Sequence, residues 1–178
     1  MYDVMISSIE RLYDYAQNGD MSDVAVMAVS SRDIDKDMLK PFHSAVCISV
    51  DEISNEEQAD KIAHYIKQLP TELDTLLVCS DDEYIVSTAI VATILRFNEM
   101  DEMRIWKNPH FRPDLSIYND FCLVLGLDET KEQTDRKVKI NMEAVERLES
   151  QKEYSEQLLR MLKSKPLEIY LDYNSISF

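Results

Sequence analysis

The stretch LLVCSDDEYIVSTAIVATIL, from Leu76 to Leu95, holds the residues whose types and order most invite chemistry. A short apolar run ends in Cys79, a polar loop follows, and a helix-like apolar segment begins. Backbone N–H groups at a helix start present partial positive charge. That field lowers the pKa of a cysteine at the loop's mouth and frees a thiolate for attack on a phosphate ester. The loop itself, Ser80, Asp81, Asp82, Glu83, Tyr84 and Ile85, presents three carboxylates and no cation. A carboxylate about 6 Å from a phosphate oxygen costs roughly 3 kcal/mol at an effective dielectric of about 20. Two or three of them outweigh a helix-end contribution of about 0.3–1 kcal/mol. They also oppose thiolate formation at Cys79, so the loop disfavours an oxyanion.

The remaining candidates are weaker. Asp51, just after an apolar run, reads as an ordinary acidic residue before a helix. Asp81, Asp82 and Glu83 have the oxygen donors of a divalent-cation cage, although consecutive carboxylates in a loop more often form a solvated surface. His43, His64 and His110 have neither metal-ligand nor triad spacing, and no cofactor is expected. Trp106 and Phe111, beside two prolines, read either as a lid over the cysteine loop or as a seal against the core. Cys79 also fits a small buried residue that ends a strand.

The elements that position these residues follow from hydrophobic period. Ile6, Ile9, Leu12, Tyr13 and Ala16 repeat at helical spacing, and Asn18–Asp20 stops the pattern at Gly19. Val24–Val29, Ser44–Val50 and Thr75–Cys79 are short apolar, β-branched runs expected as strands. Ser54 and Glu57 form a capping box opening a helix to about Gln68. Residues 85–97 are apolar nearly all round, which predicts a buried helix. Asp114 caps another helix that ends at Gly126. Strands buried on both faces and alternating with helices predict an α/β fold, three-layered, with a mostly parallel central sheet flanked by helices. Residues 127–178 differ. DETKEQTDRK reads as a linker or frayed turn, about Asn141–Lys163 as a helix, and Leu167–Tyr173 alternates like a strand. The expected organisation is an N-terminal helix (1–22), an α/β core (23–127) and a C-terminal helix-strand extension (128–178), packed on the core or on a partner subunit.

VCSDDEYIVSTAIVATIL resembles the phosphate-binding signature of cysteine-dependent protein tyrosine and dual-specificity phosphatases: Cys, five residues, Arg, then a small hydroxyl residue. The upstream SAVCISVDEISNEEQADKIAHYI and downstream IWKNPHFRPDLSIYNDFCLVLGL are similar to flanking segments of small bacterial members, so the resemblance spans about residues 23–127. It implies a phosphatase-like fold, with Cys79 on the nucleophile, Asp51 on the mobile acidic loop, and Thr88, Ile90, Ala92 and Ile94 on the helix packed under the sheet. The departures fall on the chemistry. Ile85 stands where the family has arginine, Asp82 where it has the loop glycine, Val86 for the hydroxyl residue and Val78 for histidine. Each charge-assisted phosphate contact is worth roughly 1.5–3 kcal/mol, and the absent arginine fork supplied two. The implied function is a catalytically inactive, phosphatase-like protein that works by binding. The alternative is a cysteine-dependent enzyme with altered, acidic-loop chemistry at Cys79, or a phosphatase drawing its arginine from Arg104 or Arg112.

Composition sets the class of partner. The 178 residues carry 45% hydrophobic and 30% charged side chains, with a net charge of −15. Residues 1–126 hold 23 acidic against 10 basic side chains, and residues 127–178 hold 11 against 9. Such a chain is repelled by nucleic acid and by anionic membranes, and a protein partner is expected. The C-terminal extension is a candidate for homo-oligomer contact. Three widely spaced cysteines, Cys47, Cys79 and Cys122, suggest neither disulfides nor zinc and predict a cytoplasmic setting.

Overall fold

A computed structural model describes residues 2–49, 56–70, 72–82 and 84–164. Among these, four strands, β1 (Asp3–Ser8), β2 (Met21–Ser30), β3 (Phe42–Ser49) and β4 (Thr75–Ser80), form one all-parallel sheet in the order β1-β4-β2-β3. Six helices surround it: α1 (Ile9–Asn18), α2 (Glu56–Gln68), α3 (Val86–Phe97), α4 (Met103–Trp106), α5 (Leu115–Val124) and α6 (Lys131–Ser164). The expected three-layer α/β architecture is therefore observed.

Alternate residues of each strand face opposite layers. Val26, Ala28, Leu77 and Cys79 pack against Ile9 and Leu12 of α1 and against Leu39 and Phe42. Ala25, Met27, Val29, Leu76 and Val78 face the larger layer, built from α2, α3 and α5. Burial on both faces explains why β2 and β4 read as continuous apolar runs rather than as alternating ones. The middle of α3, from Ser87 to Leu95, is entirely buried, as its composition predicts.

Several boundaries differ from the sequence expectation. The helical spacing that begins at Ile6 runs across a strand–helix junction. Residues 3–8 pair with β4, and the Ser8 hydroxyl then accepts a hydrogen bond from the Arg11 N–H at 3.3 Å, starting α1. Gly19 is extended, with φ −146°, so no left-handed cap ends α1. The segment expected as a linker opens α6 instead. Thr130 N–H donates to Gln133 Oε1 (2.9 Å) and Gln133 N–H to Thr130 Oγ1 (3.2 Å), a reciprocal capping box. α5 ends as anticipated: Gly126 has φ +69°, and Leu127 N–H reaches back to the Cys122 carbonyl. Asp51, Glu83, Ser54 of the anticipated capping box and the anticipated strand Leu167–Tyr173 lie outside the described residues.

A largely buried polar network fastens the near end of α6. The Lys137 ammonium lies 2.8 Å from both Glu102 Oε1 and Glu129 Oε1 and donates to the Tyr118 hydroxyl at 2.6 Å. Tyr118 donates in turn to Glu102 Oε2 at 2.8 Å, and Arg96 pairs with Glu129. Burial pushes the Tyr118 hydroxyl above its ordinary range, with the nearby Cys122 and Glu102 reinforcing the shift, so it stays a donor. Burial also pulls the Lys137 ammonium below the usual lysine value despite Glu102. One turn further on, the Asn141 amide donates to the carbonyls of Trp106 (3.0 Å) and Phe111 (3.2 Å). Removing one member of such a network leaves its partners buried without a counter-charge. Lys137→Ala is expected to cost about 3 kcal/mol or more, read as a lower urea midpoint at unchanged slope.

Candidate functional site

The carboxyl edge of a parallel sheet is where ligands of open α/β folds bind. Here β2 ends in Ser30 and β4 in Ser80, which lies beside Val29 and Ser8. The loop between β4 and α3 leaves this edge, so the structure does bring Ser80, Asp81, Asp82, Tyr84 and Ile85 together at the expected place.

Cys79 takes the buried place of a residue that ends a strand, the second of its two readings. It is the penultimate residue of β4, in register with Ser7 and Ala28, and its side chain packs beneath α1 with 0% exposure. The thiol thus sits within the sheet's smaller layer and not at the mouth of the loop.

The loop's polar groups are taken up internally. The Asp81 carboxylate accepts hydrogen bonds from Ser30 Oγ (3.0 Å), Ser31 N–H (2.8 Å) and Ser31 Oγ (3.0 Å), bridging the ends of β4 and β2. Partial burial would raise the Asp81 pKa. Those bonds, with the positive charge of Arg32, outweigh it and hold the carboxyl below its usual value. Asp82 Oδ1 accepts the Tyr84 N–H at 3.0 Å, and Ser80 Oγ donates to the Asp82 carbonyl. Two N–H groups of the kind that would meet an oxyanion are therefore met by the chain's own carboxylates.

Ile85 stands at the start of α3, 37% exposed, and α3 has no side-chain cap. The carbonyls of Tyr84 and Ile85 are held by the Thr88 hydroxyl at 2.9 and 3.0 Å. They are also bonded by the N–H groups of Arg112 (2.7 Å) and Asp114 (3.3 Å), so the downstream loop is tied to this one. Of the two arginines considered as substitutes, Arg112 directs Nη1 to the carbonyls of Pro109 and Phe111, within its own loop. Arg104 lines a groove of about 510 Å³ along β1, with Val4, Ile6, Val91 and Phe111. Trp106 is 1% exposed and meets Tyr118 edge-on at 5.1 Å, so it seals this loop against the core. His64 is exposed on α2, and His43 Nδ1 lies 3.1 Å from the Ser22 carbonyl.

Ser30 and Ser31 are the residues that sequence reasoning missed. The only signal available was a pair of hydroxyls directly after a buried strand, and their partner lies 50 residues away. No family model matches the chain, and no curated protein matches it.

Two outcomes follow from this geometry. Asp81→Asn keeps the shape but loses the charge that three donors face, so a loss of about 1–2 kcal/mol is expected, discounted for solvent exposure. Because the folded pKa is the lower one, this contribution is present above the unfolded value of 3.8 and fades as pH falls through the folded one. The gap in unfolding free energy between wild type and variant should therefore narrow in acid. Separately, iodoacetamide on the native chain should label Cys47, which is exposed, well before the buried Cys79 and Cys122, with all three labelled in urea. Mass spectrometry of the peptides reads the order.

Proposed function

We propose that this chain is a protein tyrosine/dual-specificity phosphatase-like protein without phosphatase activity, working in the cytoplasm by binding other proteins. The observation that carries this reading is the self-occupied loop. The carboxylates of Asp81 and Asp82 take donors that would otherwise face a phosphate. Ile85 replaces the arginine of the resemblance, and Cys79 is buried under α1. Each feature opposes oxyanion binding or thiolate attack, and together they leave the scaffold as the part of the resemblance on which this reading rests.

The acidic surface and the C-terminal extension are the contact surfaces this reading favours, a second copy of the chain included. Among the described residues no helix is long and apolar enough to cross a membrane. The cytoplasmic part of the proposal rests on three cysteines that all stand as thiols.

The test is turnover of para-nitrophenyl phosphate. Wild type is expected at background, indistinguishable from Cys79→Ser, and calorimetry with inorganic phosphate is expected to show no binding. Robust wild-type hydrolysis that Cys79→Ser abolishes would falsify the proposal. Tight phosphate binding by the wild type would overturn its electrostatic basis.

A further inference from the structure

Leu123 is 80% exposed on α5, and Met142 is 56% exposed on α6. Either residue alone would need no explanation. They stand, however, on two grooves that meet. The first, of about 540 Å³, lies between α5 and the start of α6, and the second, of about 370 Å³, continues along α6. Asp135 lines both. On α5, Leu115, Asn119 and Cys122 follow at steps of four and three, and Leu123 joins them on that face. On α6, Lys131, Asp135, Val138, Met142 and Glu146 follow at the same steps, a stripe about 22 Å long.

The floor of this strip is apolar and its rim is acidic. Leu115, Leu127 and Val138 are partly buried and pack down on the core, leaving their outer sides to the grooves. Asp128, Asp135, Glu143 and Glu146 line the strip, against Lys131 and Lys139. Glu129 also lines it, but its carboxylate is spent on Arg96 and Lys137. Lys139 lies 4.0 Å from Glu143. Asp128, Asp135 and Glu146 therefore have no ion-pair partner among the described residues, and one lysine stands beside the three.

That charge selects among occupants. A second copy would lay these carboxylates against carboxylates, in a pair of chains of net charge −15 each. An acidic segment is repelled in the same way, and an apolar one would cover the carboxylates without a counter-charge. A helix with apolar residues at steps of three and four, flanked by Lys or Arg, meets both demands. Its apolar face covers Leu123 and Met142, while its long cationic side chains reach the rim with their heads in water. Four turns of such a helix, about 15 residues, match the length of the stripe.

Resting on the binding reading above, we infer that the α5–α6 strip is a docking surface for a basic amphipathic helix of a partner protein. Leu123 and Met142 are its apolar anchors, and Asp128, Asp135 and Glu146 select the cationic partner. The contact is at the small end of specific interfaces, so its dissociation constant should be on the order of 1–100 µM.

Fluorescence anisotropy of a labelled Leu/Lys amphipathic helix of about 15 residues, titrated with the full chain, tests it. The expected result is saturable binding in that range. Leu123→Ser with Met142→Ser should weaken it about tenfold or more, and so should Asp135→Asn with Glu146→Gln. Only the second pair should also flatten the salt dependence. All four residues are exposed, and an unchanged urea midpoint checks that each variant folds. Glu10→Gln with Asp14→Asn, exposed carboxylates of α1, should leave binding unchanged. Absence of binding, equal binding of a scrambled Leu/Lys peptide, or an equal loss in the α1 variant would overturn the inference. Self-association of the chain that Leu123→Ser with Met142→Ser abolishes, read by sedimentation velocity, would assign the strip to a second copy and overturn it as well. Para-nitrophenyl phosphate turnover on the same samples separates the two proposals. Absent binding without turnover sinks only this one, whereas turnover that Cys79→Ser abolishes, with binding kept, sinks only the earlier one.

Discussion

The Asp81 carboxylate joins the carboxyl ends of β4 and β2 by accepting from Ser30 and Ser31. Everything at the candidate site depends on that bridge. A parallel sheet brings its strands to an end at one edge, where polar groups lose their ladder partners and must find water, a ligand or the chain itself. In this protein the chain supplies the partner. A carboxylate is an oxyanion with a fixed address: it answers the same N–H and hydroxyl donors as a phosphate would, without leaving. The bridge therefore serves structure with the same three hydrogen bonds that an anion at this edge would need.

Cys79 shows how parity within a strand decides chemistry. In β4 the residues Leu77 and Cys79 face α1, while Leu76 and Val78 face α3. Position 80, the last of β4, takes the opposite parity, and its Ser80 hydroxyl reaches into the loop to the Asp82 carbonyl. A thiol at position 79 lies within the sheet, closed off by Ile9 and Leu12 of α1. Because both faces of β4 are apolar, hydrophobic alternation cannot reveal which face a given residue takes. The orientation follows from pairing with Ser7 of β1, a strand whose apolar residues blend into the helical spacing of α1.

The legible parts of the fold were those set by local pattern. β2, β3, β4 and α3 declared themselves by dense apolar, β-branched or all-round hydrophobic runs, and the Asp114 cap and Gly126 stop fixed α5. Two misreadings had local signals that were passed over. Ser8 caps α1 and frees residues 3–8 for the sheet, and Thr130 with Gln133 opens α6 inside a segment that looked like a linker. The Ser31–Asp81 contact offered only a pair of hydroxyls after a buried strand, and nothing in either segment names a partner 50 residues away. The resemblance directed attention to the loop between β4 and α3. It could not say that the loop's own carboxylates would occupy it.

The two halves of α6 divide its physical work. Its near half is held by Val138, which packs on the core, and by a buried ion network whose members leave one another uncompensated if any is removed. Lys137 must meet Glu102, Glu129 and the Tyr118 hydroxyl at once, which admits one rotation of the helix and one depth of docking. Asn141, donating to two carbonyls a turn later, enforces the same choice. Rotation fixed at this end is transmitted along a continuous helix, so the azimuth of Val145, Leu148 and Leu159 is set by contacts made inside the body.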